Sequence, residues 1–301
     1  MDFTFASGRL SVKLADLKRV ENQILQLEGK SNQQLIEFLN HLQISGTSEY
    51  SDFNLLIRGA EQFLFGELVA LIDEEHYYLL DLVYAEEILT FLNLKLHDVK
   101  YQKRFDNFDI LHLSLTNLLS DKQLHTLDYF TKMIESVRSE AGKNLEQSEA
   151  RLVKHYYDYL LENFGDNKYL SAKLRAINTR TLVRANLLEL SKEEYVTELV
   201  GDDTLIEKYT NYYRLEQKQL ISTLSDKVDT KIGNLYQQMI ENRRNADKYV
   251  DDYLNIKLEE LVFSSEFNNL FIRYAMIKKR IIKTLKKMYY QVEAYETNSN
   301  N

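Results

Sequence analysis

The sequence predicts an all-α fold, and three observations carry that prediction. Its 301 residues contain no proline, the residue that most reliably interrupts a helix by removing a donor and crowding the preceding turn. Only nine glycines are available for turns, too few for the tight connections of a many-stranded protein. Between polar breaks, apolar residues return at intervals of three and four, the helical period, rather than at two. At 44% hydrophobic and 28% charged residues the composition is globular, so a buried core is expected rather than disorder. The length suits two or three domains, or one assembly of repeated helical units. The lack of cysteine excludes disulfides, thiolate metal sites and thiol catalysis, and is compatible with a reducing compartment. A formal net charge of −8 argues against general nucleic-acid binding, although a local basic patch can override the total.

Read in order, the opening MDFTFASGRLSVKLADLKRV has charges breaking every apolar stretch, so it is expected to be neither a signal peptide nor a membrane anchor. Ser31 with Gln34, Ser120 with Gln123 and Ser191 with Glu194 have capping-box spacing ahead of apolar runs and mark helix starts. Breaks are expected at GTSEYSD (46–52), KRFDNFD (103–109), FGDN (164–167), ELVGDD (198–203) and FSSEFNN (263–269). Residues 204–262 read as long helices with charged outer faces, coiled-coil-like but without a sustained heptad seam. The terminal ETNSNN has nothing to bury and is expected to fray.

The stretch LRAINTRTLVRANLL (174–188) departs from a simple surface helix. At 100° per residue, Leu174, Ile177, Thr181, Ala185 and Leu188 form one stripe, and Asn178 falls inside it. Ala176, Val183 and Leu187 form a second apolar strip roughly opposite, with Arg180 and Arg184 between the two. A helix covered on two sides is interior, and each polar group it carries inward needs a partner. The same stripe returns one hundred residues later in YAMIKKRIIKTLKKM as Tyr274, Ile277, Ile281, Leu285 and Met288, with Arg280 falling on Arg180 and Lys278 on Asn178. A fainter copy lies eighty-nine residues earlier in AEEILTFLNLKLHDV, with Ala85, Ile88, Leu92, Leu96 and Val99 on the stripe and Lys95 under Arg184. The near-equal spacing suggests three tandem helical units, expected at 1–102, 103–190 and 191–290 with a polar tail at 291–301.

These repeats resemble the C-type central-stalk component of the archaeal and bacterial V-type (A-type) rotary ATPases, a relative of the d-type component of the eukaryotic V-ATPase. That family has three tandem all-helical units. Each closes on a helix of the pattern aromatic, acid, Asn, aliphatic, Arg or Lys, aliphatic pair. The middle unit here, KYLSAKLRAINTRTLVRANLL, is similar in Tyr169, Asn178, Arg180, Leu182 and Arg184, and the last, FNNLFIRYAMIKKRIIKTLKKM, in Arg280, Ile281 and Ile282. FASGRLSVKLADL and QQLIEFLNHLQIS resemble the family's opening. The acid is kept as Glu86 but replaced by Arg175 and Ala275, and the Asn is replaced by Leu89 and Lys278 in the outer units. The resemblance implies a pseudo-threefold, funnel-shaped and non-catalytic central-stalk subunit. Present in one copy at the cytoplasmic membrane face, it would couple the axle subunits (D and F type) to the proteolipid ring for proton or sodium transport. No cofactor and no nucleic acid are implied; peripheral lipid contact is compatible with it. Asn178, Arg180, Arg184 and Arg280 are then expected as polar ties within units. Asn178→Leu is expected to be tolerated if its partners hydrate, and Arg180→Ala to weaken its unit.

The sequence also offers other chemistry. Asp251, Asp252 and Asn255 approach the DDxxD arrangement with which all-α isoprenoid synthases hold magnesium and diphosphate, since the ions need oxygen ligands one turn apart. The last acid is missing, and Gly201-Asp202-Asp203 reads as a loop and helix start. Asp73 and His76 have the carboxylate–His spacing of di-iron bundles, but no second copy exists. His155, like His76, reads as a surface or hydrogen-bonded residue. No P-loop, dinucleotide fingerprint or nucleophile elbow occurs. The basic run Arg273, Lys278, Lys279, Arg280, Lys283, Lys286 and Lys287 reads as a solvated face, or as a surface for phosphates or an acidic partner. The 21 tyrosines suit core packing with hydroxyls reaching water, or a partner surface. A coiled-coil scaffold on 204–262 is the other alternative.

Overall fold

The computed structural model describes residues 3–27, 30–46, 49–96, 132–137, 139, 145–165, 167–261 and 266–299. Among them the regular structure is helical and no strand occurs, so the class is all-α. In chain order the helices are α1 (Phe3–Leu25), α2 (Asn32–His41), α3 (Phe53–Val69), α4 (Tyr78–Val83), α5 (Ala85–Leu96), α6 (Leu145–Phe164), α7 (Lys168–Leu188), α8 (Lys192–Thr197), α9 (Asp203–Thr210), α10 (Gln217–Lys227), α11 (Thr230–Glu241), α12 (Ala246–Glu260) and α13 (Phe267–Ser299).

Helix starts follow from side chains that accept the otherwise orphaned N–H groups of a first turn. Ser31 and Ser191 form full capping boxes with Gln34 and Glu194, as their spacing predicts. Asp52, Asn167, Asp202 and Asp229 cap α3, α7, α9 and α11 with a carboxylate or amide oxygen. The breaks expected at 46–52, 164–167 and 198–203 fall between helices. Ser120, Gln123 and the break at 103–109 lie outside the described residues.

The helices gather into two compact units. One contains α1–α4 and α13, with α13 at its centre against α1, α2, α3 and α4. Its core includes Leu10, Leu35, Leu39, Phe53, Leu56 and Phe271. The other contains α5–α12. Here α7 is central, packed against α6, α8, α11 and α12, while α5 packs on α6 and α10 on α11. The expected boundary at 102/103 lies outside the described residues, and the one at 190/191 falls between α7 and α8, inside the second unit.

Two expectations change. Residues 204–262 are not long helices but four short ones, α9 to α12. The chain turns with Arg214 in the left-handed region (φ 56°), with extended Asp229 (φ −163°) capping α11, and with a 3₁₀ turn at Arg243–Asn245. The polar tail expected to fray from 291 instead continues α13 as helix to Ser299. No helix among the described residues is long and apolar enough to cross a membrane.

Candidate functional site: polar ties of the two central helices

On α7 the stripe is used as the periodicity requires. Leu174, Thr181 and Ala185 are buried, Ile177 is half-buried and Leu188 is exposed at the helix end. Ala176 and Val183 on the opposite strip are buried too, so the helix is covered on two sides. Asn178 is fully buried. Its Nδ2 donates to the Val200 carbonyl at 2.7 Å, and its Oδ1 accepts from the Val200 N–H at 2.9 Å. The carboxamide therefore replaces a missing backbone partner in both directions and fixes the turn before α9. That turn needs Gly201, whose φ of +121° is open to glycine and strained for other residues.

Around this clamp tyrosine hydroxyls make further hydrogen bonds to the backbone. Tyr209 of α9 donates to the Arg175 carbonyl at 3.0 Å and lies 2.9 Å from the Thr179 hydroxyl, which reaches the same carbonyl at 2.8 Å. The Tyr195 hydroxyl donates to the Tyr209 carbonyl at 2.8 Å, and Tyr213 to the Leu190 carbonyl at 2.7 Å. Burial pushes the phenols of Tyr195 and Tyr209 upward, so they stay neutral donors. These are tyrosines inside the protein with protein partners; for them the expected reach to water is replaced by reach to backbone carbonyls.

Arg180 and Arg184 are not sandwiched between neighbouring helices as the two-strip reading placed them. Arg180 meets Asp247 at 3.2 Å with both side chains more than half exposed, and Arg184 meets Glu198 at 2.9 Å while itself about half exposed. The deeper charge on α7 is Lys173, buried one turn after Tyr169, with Glu86 of α5 at 3.5 Å. Burial opposes its protonation, but Tyr157, Glu86 and Tyr169 outweigh that cost and its pKa is raised. Lys257 binds Asp229 at 2.7 Å and Glu260 at 2.9 Å, fastening α12 to the start of α11.

On α13 the corresponding stripe residues Tyr274, Ile277, Ile281 and Leu285 are buried. Lys278, standing where Asn178 stands on α7, reaches Glu67 of α3. The same carboxylate accepts from Lys13 of α1 at 2.5 Å and from the Tyr274 hydroxyl at 2.9 Å. Burial raises the Glu67 carboxyl, yet the bonds from Lys13 and Lys278 prevail and hold it below its usual range. Lys278 is itself held below the usual lysine range, because burial and the repulsion of nearby Lys13 outweigh its bond to Glu67. Arg280 grips Glu21 through Nε at 2.8 Å and Nη2 at 2.7 Å, and Lys286 meets Glu61 at 2.5 Å. Lys279 donates to the Val83 carbonyl at the end of α4, 2.9 Å away. The basic run is thus largely consumed inside its own unit rather than forming a solvated face; only Lys283 and Lys287 are exposed.

Asn178 and Arg280 do take polar partners, but Val200 and Glu21 lie across the expected unit boundaries, and the sequence reading did not name Glu67, Glu61, Glu21 or the Tyr195–Tyr209 pair. Glu67 carried a signal, being the lone charge in FLFGELVALI. The others look like any acid or aromatic on a helix. On the faint copy, α5, Ala85, Leu92 and Leu96 are buried and Ile88 half-buried, while Val99 lies outside the described residues. Of the DDxxD-like residues on α12, Asp252 is exposed and Asp251 and Asn255 half-buried. His76 pairs locally with Asp73. Among the described residues no group of three acidic or histidine side chains is placed to hold a metal. No family model, curated protein or solved structure matches the chain.

Proposed function

We propose that the protein is a non-catalytic binding subunit of a V-type rotary ATPase. It would sit in the central stalk at the cytoplasmic membrane face, joining the axle to the proteolipid ring so that proton or sodium transport is coupled to rotation. The observation that carries the reading is the correspondence between α7 and α13. Two helices one hundred residues apart share a five-position stripe, each is the central helix of its unit, and positions 178/278 and 180/280 tie both helices to neighbours. What supports a mechanical role is the nature of those ties. Apart from the exposed Arg180–Asp247 pair, they hold a helix to its neighbouring turn or helix through a buried amide and partly buried carboxylates, which resist sliding, and close packing transmits strain. In this reading the chain holds no reactant; its helical modules pass torque from one partner to the next.

Affinity capture of the full chain from gently solubilised membranes tests the proposal. Recovery together with catalytic-head, axle and proteolipid subunits is the expected result. Capture of the chain alone, or with an unrelated soluble complex, would sink it.

A further inference from the structure

The central helix of the first unit has a packing ambiguity. Its stripe Tyr274, Ile277, Ile281, Leu285 repeats every turn, and α1 presents Leu10, Leu14 and Leu17 at the same period. Burial of apolar area is non-directional, so two such stripes remain nearly as well buried after a slide of one turn, about 5.4 Å. The polar ties are not indifferent to such a slide. A shift of four residues either way replaces Lys278 opposite Glu67 by Tyr274 or Ile282. It likewise replaces Arg280 opposite Glu21 by Met276 or Thr284, and Lys286 opposite Glu61 by Ile282 or Tyr290. Every shifted arrangement strands carboxylates that the native one pairs, and an unpaired, partly buried charge is costly.

We propose that the Lys13–Glu67–Lys278 node, with Tyr274, is a register lock: it selects one axial position of α13 against α1 and α3 while adding little to overall stability. The node suits that role because Glu67 touches cations from both α1 and α13 at once. It fixes two sliding interfaces through a single group. A partly buried ion pair gains little net stability over apolar side chains of similar volume, since attraction and desolvation nearly cancel. Its discrimination between registers is not cancelled, because only the native register brings the Lys278 cation of α13 to the carboxylate that Lys13 already holds.

The chain contains no cysteine, so engineered pairs read the register directly. Glu61→Cys with Lys286→Cys reports the native position, and Glu61→Cys with Ile282→Cys or Tyr290→Cys reports slides in either direction, each linked with a short bifunctional thiol reagent. These pairs are placed in the full chain, in the Lys13→Met/Glu67→Met/Lys278→Met background, and in Glu67→Gln. The expected result is cross-linking confined to the 61/286 pair when the node is intact. In the triple background the slid pairs should rise about tenfold relative to it, with cooperative unfolding kept at the parent temperature; Glu67→Gln should show a smaller rise. Slid pairs that stay at the parent level in both variants overturn the lock. A triple variant that melts well below the parent overturns it too, by showing the node to be a stability element.

Discussion

Asn178 shows what a buried amide does that an apolar residue of similar size cannot. Its two hydrogen bonds satisfy both the N–H and the carbonyl of Val200, which are themselves buried in the turn. Asn178→Leu therefore strands two peptide groups. At about 1–3 kcal/mol for each unsatisfied group, the expected loss is several kcal/mol, seen as a lower urea midpoint or melting temperature. This replaces the expectation of tolerance, which assumed that water reaches Val200. Arg180 moves the other way. Its pair with Asp247 is exposed, and such pairs contribute about 0–1 kcal/mol, so Arg180→Ala should melt indistinguishably from the parent. A drop of several degrees would show that Arg180 has a partner deeper than Asp247. Asn178 was legible because it interrupts a stripe. The difference between it and Arg180 was not, because a helical wheel gives direction and not the depth of the neighbour that lies there.

Helices were legible where a capping residue stood before a periodic run, as at Ser31 and Ser191, and illegible where turns used no glycine or proline. The run 204–262 contains neither residue except at Gly233, yet it bends three times. Asp229 competes for the backbone N–H of Lys231, and Asn242 adopts a non-helical conformation at the end of α11; tertiary packing decided these turns, and propensity alone favoured continuation. The one glycine in the run marks contact rather than a turn. A Cβ on Gly233 would meet Ser225 Oγ at 1.9 Å and the Ile221 carbonyl at 2.6 Å, so α10 and α11 approach there as closely as backbone permits. Gly233→Ala should gain helix propensity and still lose stability, by about 1–3 kcal/mol, because a backbone oxygen cannot move aside like a side-chain tip. Hydrogen exchange localised to α10 and α11 would report it. Unchanged protection there would mean that the two helices separate freely.

At the scale of the molecule, both units place carboxylates under the control of half-buried lysines, and this fixes how stability depends on pH. Glu67 in one unit and Asp229 in the other are held below their ordinary values, each because hydrogen bonds from lysines, together with a backbone N–H for Asp229, outweigh burial. Between the depressed folded value and the ordinary value of 4.5 or 3.8, the unfolded chain binds more protons than the folded one. Stability must then rise with pH through that window and level off above it. It is lost as pH falls through the folded values, when protonation breaks the Lys13–Glu67–Lys278 and Asp229–Lys257 ties. The folded chain should therefore show a urea midpoint that is flat above about pH 5.5 and falls steeply below about pH 4.5. Because each unit holds carboxylates of this kind, hydrogen exchange should show protection falling in α1, α3 and α13 and also in α11 and α12. A Glu67→Gln chain should lose the acid dependence of the first set alone, since its amide no longer titrates. A midpoint that stays level down to pH 3 would mean that neither carboxylate is held by its lysines, and the ties that make each unit rigid would have to be sought elsewhere.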